Sequence, residues 1–229
     1  MIQEAPIDYV ETYYETRLKR RRDFPEARRF YEAQLKHVSG DRVINLGCGP
    51  QFYDDLRHFA TLPRYYSGLD LNQQNLEYLK SSQHKDLEAG RNWARDNDVK
   101  VDLVCGDILE ESTDFGAGFE KVDCAVCIGF LGIFSEEPFK KAVGRIREWL
   151  VPGGRLVNLS WCHNLQEKTV YEGRLKYGFN RPNNPGHHDI IKWTTESDFI
   201  LINETVFDVP HKEIYGWKLI SSAVFELAD

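Results

Sequence analysis

The sequence predicts an α/β fold with a doubly wound, mostly parallel seven-stranded sheet and a terminal antiparallel hairpin. Short apolar runs that suit buried parallel strands alternate with amphipathic helical segments along most of the chain. The first such run, 42–46, leads through Gly47 and Gly49 into Pro50, which suits the first turn of a helix. Two strand patterns, at 204–210 and 217–227, close the chain as a hairpin. N-terminal helices and an insertion between strands five and six complete the expected architecture.

The chain as a whole has the length and charge of a single domain with additions. With 229 residues it can bury a full core, and we divide it into an N-terminal helical cap, 1–40, and a main domain, 41–229. The formal charge of −7 argues against a general nucleic-acid partner, and the one basic run, 17–22, is interpreted as a solvated helix face.

The same survey predicts a cytoplasmic protein without a membrane partner. No apolar stretch approaches the ~20 residues of a membrane span, and the N-terminus lacks the apolar core of a signal peptide. The five cysteines are an odd number and fall mostly in predicted strands, as reduced packing residues do. The oligomeric state is left open.

The stretch 42–51 is the main candidate for a ligand site. Its apolar run predicts a strand buried on both faces, and Gly47-Cys48-Gly49 predicts a sharp turn where a ligand approaches the backbone closely. A strand, a glycine turn and a helix N-terminus form a cradle for a nucleotide-like ligand, although a tight turn without a ligand is the alternative. The next predicted strand, 65–70, ends in Asp70, whose carboxylate can accept hydrogen bonds from both ribose hydroxyls.

Two classes of cofactor use such a cradle. The dinucleotide fingerprint requires a third glycine where this chain has Phe52, which disfavours NAD or FAD. The run instead resembles motif I of the class I S-adenosylmethionine (SAM)-dependent methyltransferases, whose usual form is acidic-x-Gly-x-Gly-x-Gly. Gly47 and Gly49 match that form, whereas Asn45 replaces the acid and Gln51 the last glycine.

Two later segments resemble the same family, and the resemblance covers roughly residues 40 to 229. The first, Cys105-Gly106-Asp107-Ile108, resembles the family's Gly-Asp segment, in which the carboxylate accepts from the adenine amino group and the apolar neighbour packs on the ring. A turn-forming aspartate is the alternative for Asp107. The second, Leu150-Val151-Pro152-Gly153-Gly154, resembles a structural Leu-x-Pro-Gly-Gly motif before a fifth strand at 155–159.

The resemblance implies SAM as the cofactor and S-adenosylhomocysteine (SAH) as its product. It also implies an N-terminal segment that closes over the cofactor through Tyr13, Tyr14 and Arg17, with Arg17 pairing with the SAM carboxylate, although plain helix packing is the alternative. The implied cofactor-binding residues are Tyr14, Arg17, Asn45, Gly47, Cys48, Gly49, Asp70, Leu71, Gly106, Asp107, Ile108, Ile128 and Gly129.

Three further patterns concern the second half of the main domain. Cys124-x-x-Cys127 has the spacing of a redox or metal pair, but residues three apart on a strand point to opposite faces, so both are predicted core residues. Ser135 is expected to cap a helix whose apolar positions follow the 3.6-residue period to Leu150. Thr195-Glu196-Ser197-Asp198 resembles a capping box and predicts a short helix over 199–202.

The segment 160–193 is too long for an ordinary connection and is rich in aromatic and basic residues, which predicts a lid over a small-molecule acceptor. Its candidate substrate-binding residues are Trp161, Tyr171, Arg174, Tyr177, His187 and His188. The His187-His188 pair is not completed by a Cys, Asp or Glu cluster, so no metal is predicted.

The chemistry implied by the resemblance is methyl transfer to nitrogen or oxygen of a small molecule by in-line displacement. The sequence has neither the Asn-Pro-Pro-Tyr or Asp-Pro-Pro-Tyr run of nucleic-acid amino methyltransferases nor the Pro-Cys nucleophile of cytosine methylation. His163, just past the fifth strand, is the candidate general base for a hydroxyl acceptor, with a packing histidine as the alternative. A nucleotide-dependent oxidoreductase and a non-catalytic SAM-binding partner subunit remain the competing functions.

Overall fold

A computed structural model describes residues 14–15, 25–113, 121–162, 185–208 and 219–228. Within these ranges the strands form one sheet, and they are β1 (Arg42–Leu46), β2 (Tyr65–Asp70), β3 (Lys100–Cys105), β4 (Val122–Ile128), β5 (Leu150–Cys162), β6 (Phe199–Asp208) and β7 (Leu219–Leu227). From residue 25 onwards, the α-helices of the same ranges are α1 (Pro25–Leu35), α2 (Phe52–Leu56), α3 (Gln73–Ser81), α4 (Lys85–Asp96), α5 (Glu136–Trp149) and α6 (His187–Thr195).

The strand order β3-β2-β1-β4-β5-β7-β6 confirms the predicted doubly wound sheet with its terminal hairpin. Strands β1 to β5 pair in parallel, and β7 pairs antiparallel with both β5 and β6. The strand order reverses at β1, which has β2 on one side and β4 on the other. Ligands of open α/β sheets bind in the crevice at such a switch point, beyond the carboxyl ends of the strands.

Each face of the sheet carries its own apolar core. Helices α1 to α4 pack on one face around Phe52, Tyr66 and Leu76, and helices α5 and α6 pack on the other face around Phe139 and Ile190. Cys124 belongs to the first core and Cys127 to the second, so the two thiols lie on opposite faces as their spacing predicts. Both are buried and free of a disulfide.

Helix α5 matches its predicted period, with Phe139, Ala142, Val143, Ile146 and Trp149 all buried. The strand that follows begins earlier than predicted, at Leu150 rather than at Arg155. The register explains the difference, because Val122 pairs with Leu150 while Cys124 pairs with Arg155, so the intervening residues bulge out of the ladder. Gly153, at a φ of +69°, supplies the left-handed backbone within that bulge.

The predicted helix over 199–202 is wrong, since these residues begin strand β6. The capping-box pattern instead follows the end of α6 at Thr195. Residues of β6 alternate between half-buried and exposed positions along the strand, and this two-residue period outweighs the local capping signal.

The boundaries of the predicted lid also change. Strand β5 extends to Cys162, and α6 occupies His187–Thr195, so both ends of the segment 160–193 are regular structure. The connection between the two elements is therefore 163–186, and residues 163–184 lie outside the described ranges. Among the helices that the structure describes, none is long and apolar enough to cross a membrane.

Candidate functional site

The glycine turn after β1 is pinned to β2 by its own backbone. The amides of Gly47 and Cys48 both donate to the carbonyl oxygen of Leu69, at 2.8 and 3.2 Å. Gly47 and Gly49 have φ values of +62° and +51°, in the left-handed region that glycine adopts without steric cost. A Cβ on Gly47 would lie 2.3 Å from Cδ2 of Phe130, whereas a Cβ on Gly49 would have no heavy atom within 4 Å. Gly47 is therefore a close-packing position, and Gly49 presents bare backbone to open space.

Asp70, the last residue of β2, is bonded directly to this turn. Its Oδ2 accepts from the Gly49 amide at 2.8 Å, and its Oδ1 accepts from the Asn72 amide at 2.8 Å and from Asn75 Nδ2 at 3.3 Å. Burial raises the pKa of Asp70, and these three hydrogen bonds oppose the rise by stabilising the charged form. A carboxylate offers about four lone-pair sites. Donors from the described residues take three of these sites, which leaves one on Oδ2.

The segment after β3 packs against the same edge. The Gly106 amide donates to the backbone oxygen of Asp70 at 3.1 Å, and a Cβ on Gly106 would meet Thr113 Cγ2 at 2.8 Å. Asp107 accepts from the Leu109 amide at 2.9 Å through Oδ1, and its backbone oxygen accepts from Thr113 Oγ1 at 2.5 Å. One oxygen of the Asp107 carboxylate thus shapes the local turn, as the alternative interpretation of this residue expected.

The apolar neighbours of these two aspartates differ in their exposure. Ile108 is 2% exposed and packs in the core on the α5 side, whereas Leu71 is 47% exposed. Leu71 therefore offers apolar surface at this edge, while Ile108 is part of the core.

Strand β4 contributes the other wall of the crevice. Gly129, at a φ of +66°, donates its amide to the Leu159 carbonyl at 2.6 Å, directly after the half-buried Ile128. Phe130 then packs over Gly47. The predicted cofactor residues of β1 and β4 thus meet at the switch point of the sheet.

Two residues of the predicted set point away from the crevice. Asn45 is buried and donates through Nδ2 to the Tyr66 hydroxyl at 2.8 Å and towards Asp55 Oδ2 at 3.5 Å. The Sγ of Cys48 lies towards Gly68, at 2.9 Å from the position of a Cβ there. These side chains belong to the core beneath the turn, so Cys48 can contribute only its backbone to the crevice.

Burial raises the pKa of the Cys48 thiol well above its ordinary value, and the charges of Asp70 and Asp55 raise it further. The thiol is therefore held protonated, and it is not a nucleophile in this fold.

The N-terminal residue Tyr14 is also wholly buried, with its ring 5.0 Å edge-on from His84 and 5.8 Å from Tyr78. It packs among the helices that cover β2 and β3. The Tyr14 side chain thus agrees with the alternative interpretation, plain helix packing, and not with closure over a cofactor. Residues 13 and 17 lie outside the described ranges.

His187, the first residue of α6, has both ring nitrogens engaged. Nδ1 lies 2.6 Å from the Ser221 hydroxyl and Nε2 lies 2.5 Å from the Glu204 carboxylate. The histidine therefore ties α6 to β6 and β7, while His188 is exposed beside it. No group of three or more metal-ligating side chains occurs among the residues that the structure describes.

The remaining predicted acceptor residues fall in the undescribed part of the chain. These are His163, Tyr171, Arg174, Tyr177 and the side chain of Trp161. Their roles stay predictions.

Sequence reasoning missed a buried acid beneath the turn. Asp55 lies in α2 on the same face as Phe52 and Leu56, and it accepts from the Tyr31 hydroxyl of α1. The spacing carried the signal, because Asp55 follows the apolar Phe52 by three residues, and residues three apart on a helix share a face.

Solved structures with the same fold are numerous and distant in sequence. The N-methyltransferase NodS from Bradyrhizobium japonicum WM9, solved with SAH, is 16% identical with a TM-score of 0.62, over 92% of this chain and 91% of that one. The methyltransferase solved with the Haloferax volcanii Trm112 methyltransferase activator is 13% identical with a TM-score of 0.65, over 100% of both chains. The (4+2)-cyclase SpnF is 13% identical with a TM-score of 0.60, over 87% of this chain and 80% of that one.

The chain thus has the fold of the class I SAM-dependent methyltransferases, as its motifs predict. No protein-family model matches the sequence, and no curated protein matches it significantly. A protein described as a cyclase shares the fold, so the fold by itself leaves the reaction open.

Replacing the two turn glycines by alanine is expected to destabilise the fold to different extents. Gly47→Ala adds the clash with Phe130 to the backbone strain of a positive φ, whereas Gly49→Ala adds the strain alone, about 1–2 kcal/mol. We expect Gly47→Ala to lower the free energy of unfolding by clearly more than Gly49→Ala, measured by urea denaturation. Equal losses would contradict the packing of Phe130 on Gly47.

Proposed function

We propose that this protein is a SAM-dependent methyltransferase that acts on a nitrogen or oxygen of a small-molecule acceptor. The observation that carries the proposal is the bare backbone face of Gly49 beside the Asp70 carboxylate, at the switch point of the sheet. Nucleotide-like ligands need these two features together, a backbone that they can approach and an acid that can accept from a ribose.

The residues around the crevice fit the parts of SAM. The open lone pair on Asp70 Oδ2 would accept from a ribose hydroxyl next to Gly49, and exposed Leu71 would cover one face of the adenine. Asp107 stands at the same edge and would accept from the adenine amino group with the oxygen that does not shape the turn. Gly129, across the crevice on β4, completes the walls. When bound, SAM supplies the methyl group.

The chain's own contribution to the reaction would be positioning and the exclusion of water. Methyl transfer by in-line displacement needs no covalent intermediate, so holding the two reactants in line supplies much of the acceleration. The acceptor would lie beyond the carboxyl end of β5, under the predicted lid. An amine need only be held uncharged, whereas a hydroxyl needs a base, for which His163 remains our candidate.

The fold and the crevice argue against one of the two competing functions and leave the other to experiment. An oxidoreductase would place a third glycine at position 52, but Phe52 is fully buried, with its ring stacked 4.0 Å from Tyr66. A non-catalytic SAM-binding subunit would keep the same crevice without needing an acceptor site. Turnover with an acceptor therefore separates it from the enzyme that we propose.

Cofactor binding gives the first test of the proposal. A ligand at 100 times its dissociation constant stabilises the fold by about 2.7 kcal/mol, or a rise in melting temperature of roughly 5–10 °C for a chain of this size. We expect SAM and SAH to give this rise in a thermal unfolding experiment and NAD to give none. Failure of both sulfur compounds would contradict the proposed function.

Asp70→Ala should weaken SAH binding by about tenfold or more, because a hydrogen bond to a charged group is worth about 1.5–3 kcal/mol. The substitution also removes the acceptor that anchors the Gly49 amide. Titration calorimetry measures the affinity, with Asp96→Ala at the exposed end of α4 as the matched control. Unchanged affinity in Asp70→Ala would show that the carboxylate is not a ribose ligand.

The acceptor side is tested by replacing residues 163–184 with a short Gly-Ser linker. We expect this variant to lose methyl transfer from labelled SAM to a panel of small amines and phenols, while SAH affinity stays nearly intact. Methyl transfer at the parent rate by the linker variant would mean that the acceptor site lies elsewhere.

His163→Ala in the full chain should lower turnover by about 10²-fold or more for a hydroxyl acceptor and little for an amine.

A further inference from the structure

A buried hydrogen-bond network lies directly beneath the glycine turn, formed by side chains from α1, β1, α2 and β2. Asn45 Nδ2 donates to the Tyr66 hydroxyl at 2.8 Å and towards Asp55 Oδ2 at 3.5 Å. The Tyr31 hydroxyl donates to Asp55 Oδ1, and the Tyr66 hydroxyl donates to the backbone oxygen of Phe52 at 3.3 Å. All four side chains are at most 9% exposed. A buried polar group that loses its partner pays the full cost of desolvation, so this network is sensitive to single changes.

The network spans both ends of the turn. Asn45 precedes Gly47 by two residues on β1, and Phe52 and Asp55 follow Gln51 on α2. The side-chain bonds therefore join the end of the strand to the start of the helix. The charge of Asp55 also reaches the turn itself, because it raises the pKa of the Cys48 thiol after the larger effects of burial and of Asp70.

The pair of Asn45 and Asp55 has a defined direction of donation. An amide Nδ2 on the strand faces a carboxylate on the helix, which can only accept. Asparagine at position 55 would offer one acceptor oxygen where aspartate offers two. If that oxygen faces Asn45, the new NH₂ group faces the Tyr31 hydroxyl, whose proton loses its acceptor on residue 55. If it faces Tyr31, the new NH₂ group opposes Asn45 Nδ2, and Asn45 can turn its Oδ1 towards that group only by taking Nδ2 away from Tyr66. Each arrangement loses or reverses one bond of the network.

Helix α1 extends the network across the sheet. Tyr31 binds Asp55 under the turn, while Gln34 accepts from the Ser222 hydroxyl of β7 at 2.9 Å. Phe30 stacks on Phe207 of β6 at 5.3 Å. The helix thus contacts both the element that follows the glycine turn and the terminal hairpin, and Tyr31 fixes its position at the turn.

We propose that Asn45, Asp55 and Tyr66 are positioning residues for the glycine turn. Through the network they hold the Gly47, Cys48 and Gly49 amides in the geometry that the crevice needs. The donor and acceptor roles of Asn45 and Asp55 can be exchanged between strand and helix. The effect on SAH affinity rests on the proposed function, whereas the effect on the geometry of the turn does not.

The test uses Asp55→Asn, Tyr66→Phe and the double variant Asn45→Asp/Asp55→Asn, which restores one amide facing one carboxylate. Tyr66→Phe removes only the hydroxyl and keeps the ring stacked on Phe52. The matched control is Tyr53→Phe on the same helix, because the Tyr53 ring contacts Phe52 edge-on but its hydroxyl makes no hydrogen bond with the network among the described residues. Hydrogen exchange of the Gly47, Cys48 and Gly49 amides is compared with that of the β7 amides, and SAH affinity is measured in parallel.

We expect both single variants to speed exchange at the turn by about tenfold or more, with less than about threefold change in β7. Affinity for SAH should fall by about tenfold with them, the double variant should recover most of both effects, and Tyr53→Phe should match the wild type. If hydrogen exchange at the turn stays unchanged, or rises there and in β7 by the same factor, the proposal is overturned, because the network then only adds stability. If the double variant recovers neither hydrogen exchange at the turn nor SAH affinity, the donor and acceptor roles of Asn45 and Asp55 are not exchangeable.

If Asp55→Asn does not fold, Tyr66→Phe decides the positioning role by the same two readouts. If the wild type does not bind SAH, the proposed function fails, and exchange at the turn still decides this inference.

Discussion

The two hydrogen bonds from Gly47 and Cys48 to the carbonyl of Leu69 are the constraint on which the crevice depends. They join the end of β1 to the end of β2 and leave the next amide, that of Gly49, aimed at the Asp70 carboxylate. A backbone that turns this sharply needs positive φ values at two positions, and glycine supplies both. The chain thus obtains an exposed backbone surface at the switch point from main-chain geometry, without ordering long side chains.

Burial of Asp70 works against its charge, and the local bonds compensate. Desolvation raises the pKa of the carboxyl group, and the donors from Gly49, Asn72 and Asn75 each favour the ionised form. The acid is therefore both a structural acceptor for the turn and a candidate acceptor for a ligand. These two roles compete for the same oxygens, because donors from the described residues already take three of the about four lone-pair sites and leave one on Oδ2.

Most of the sheet and the cofactor side of the crevice could be predicted because their signals are local. The apolar run of β1, the glycine turn and the strand that ends in Asp70 each need only a few neighbouring residues to be recognised. The same local logic predicted a helix over 199–202 and failed, because pairing of β6 with β7 overrides the capping pattern there. The start of β5 was missed for a related reason, since its bulge depends on the register against β4.

The hydrogen-bond partners of individual side chains could not be predicted from the sequence, because these contacts join distant parts of the chain. Asn45 meets Tyr66 and Asp55 only after β1, β2 and α2 have packed, and His187 meets Glu204 and Ser221 only after α6 has packed on the hairpin. In both cases a residue predicted to touch a ligand is engaged by the protein.

The two cases differ in what they imply for the site. At Asn45 the engagement lies directly under the turn and shapes the surface that a cofactor would meet. At His187 it ties the start of α6, the helix that follows the predicted lid, to β6 and β7. Asn45 stands in β1 where motif I usually has an acid. The carboxylate beneath the turn is instead that of Asp55, so it comes from helix α2 and not from the strand.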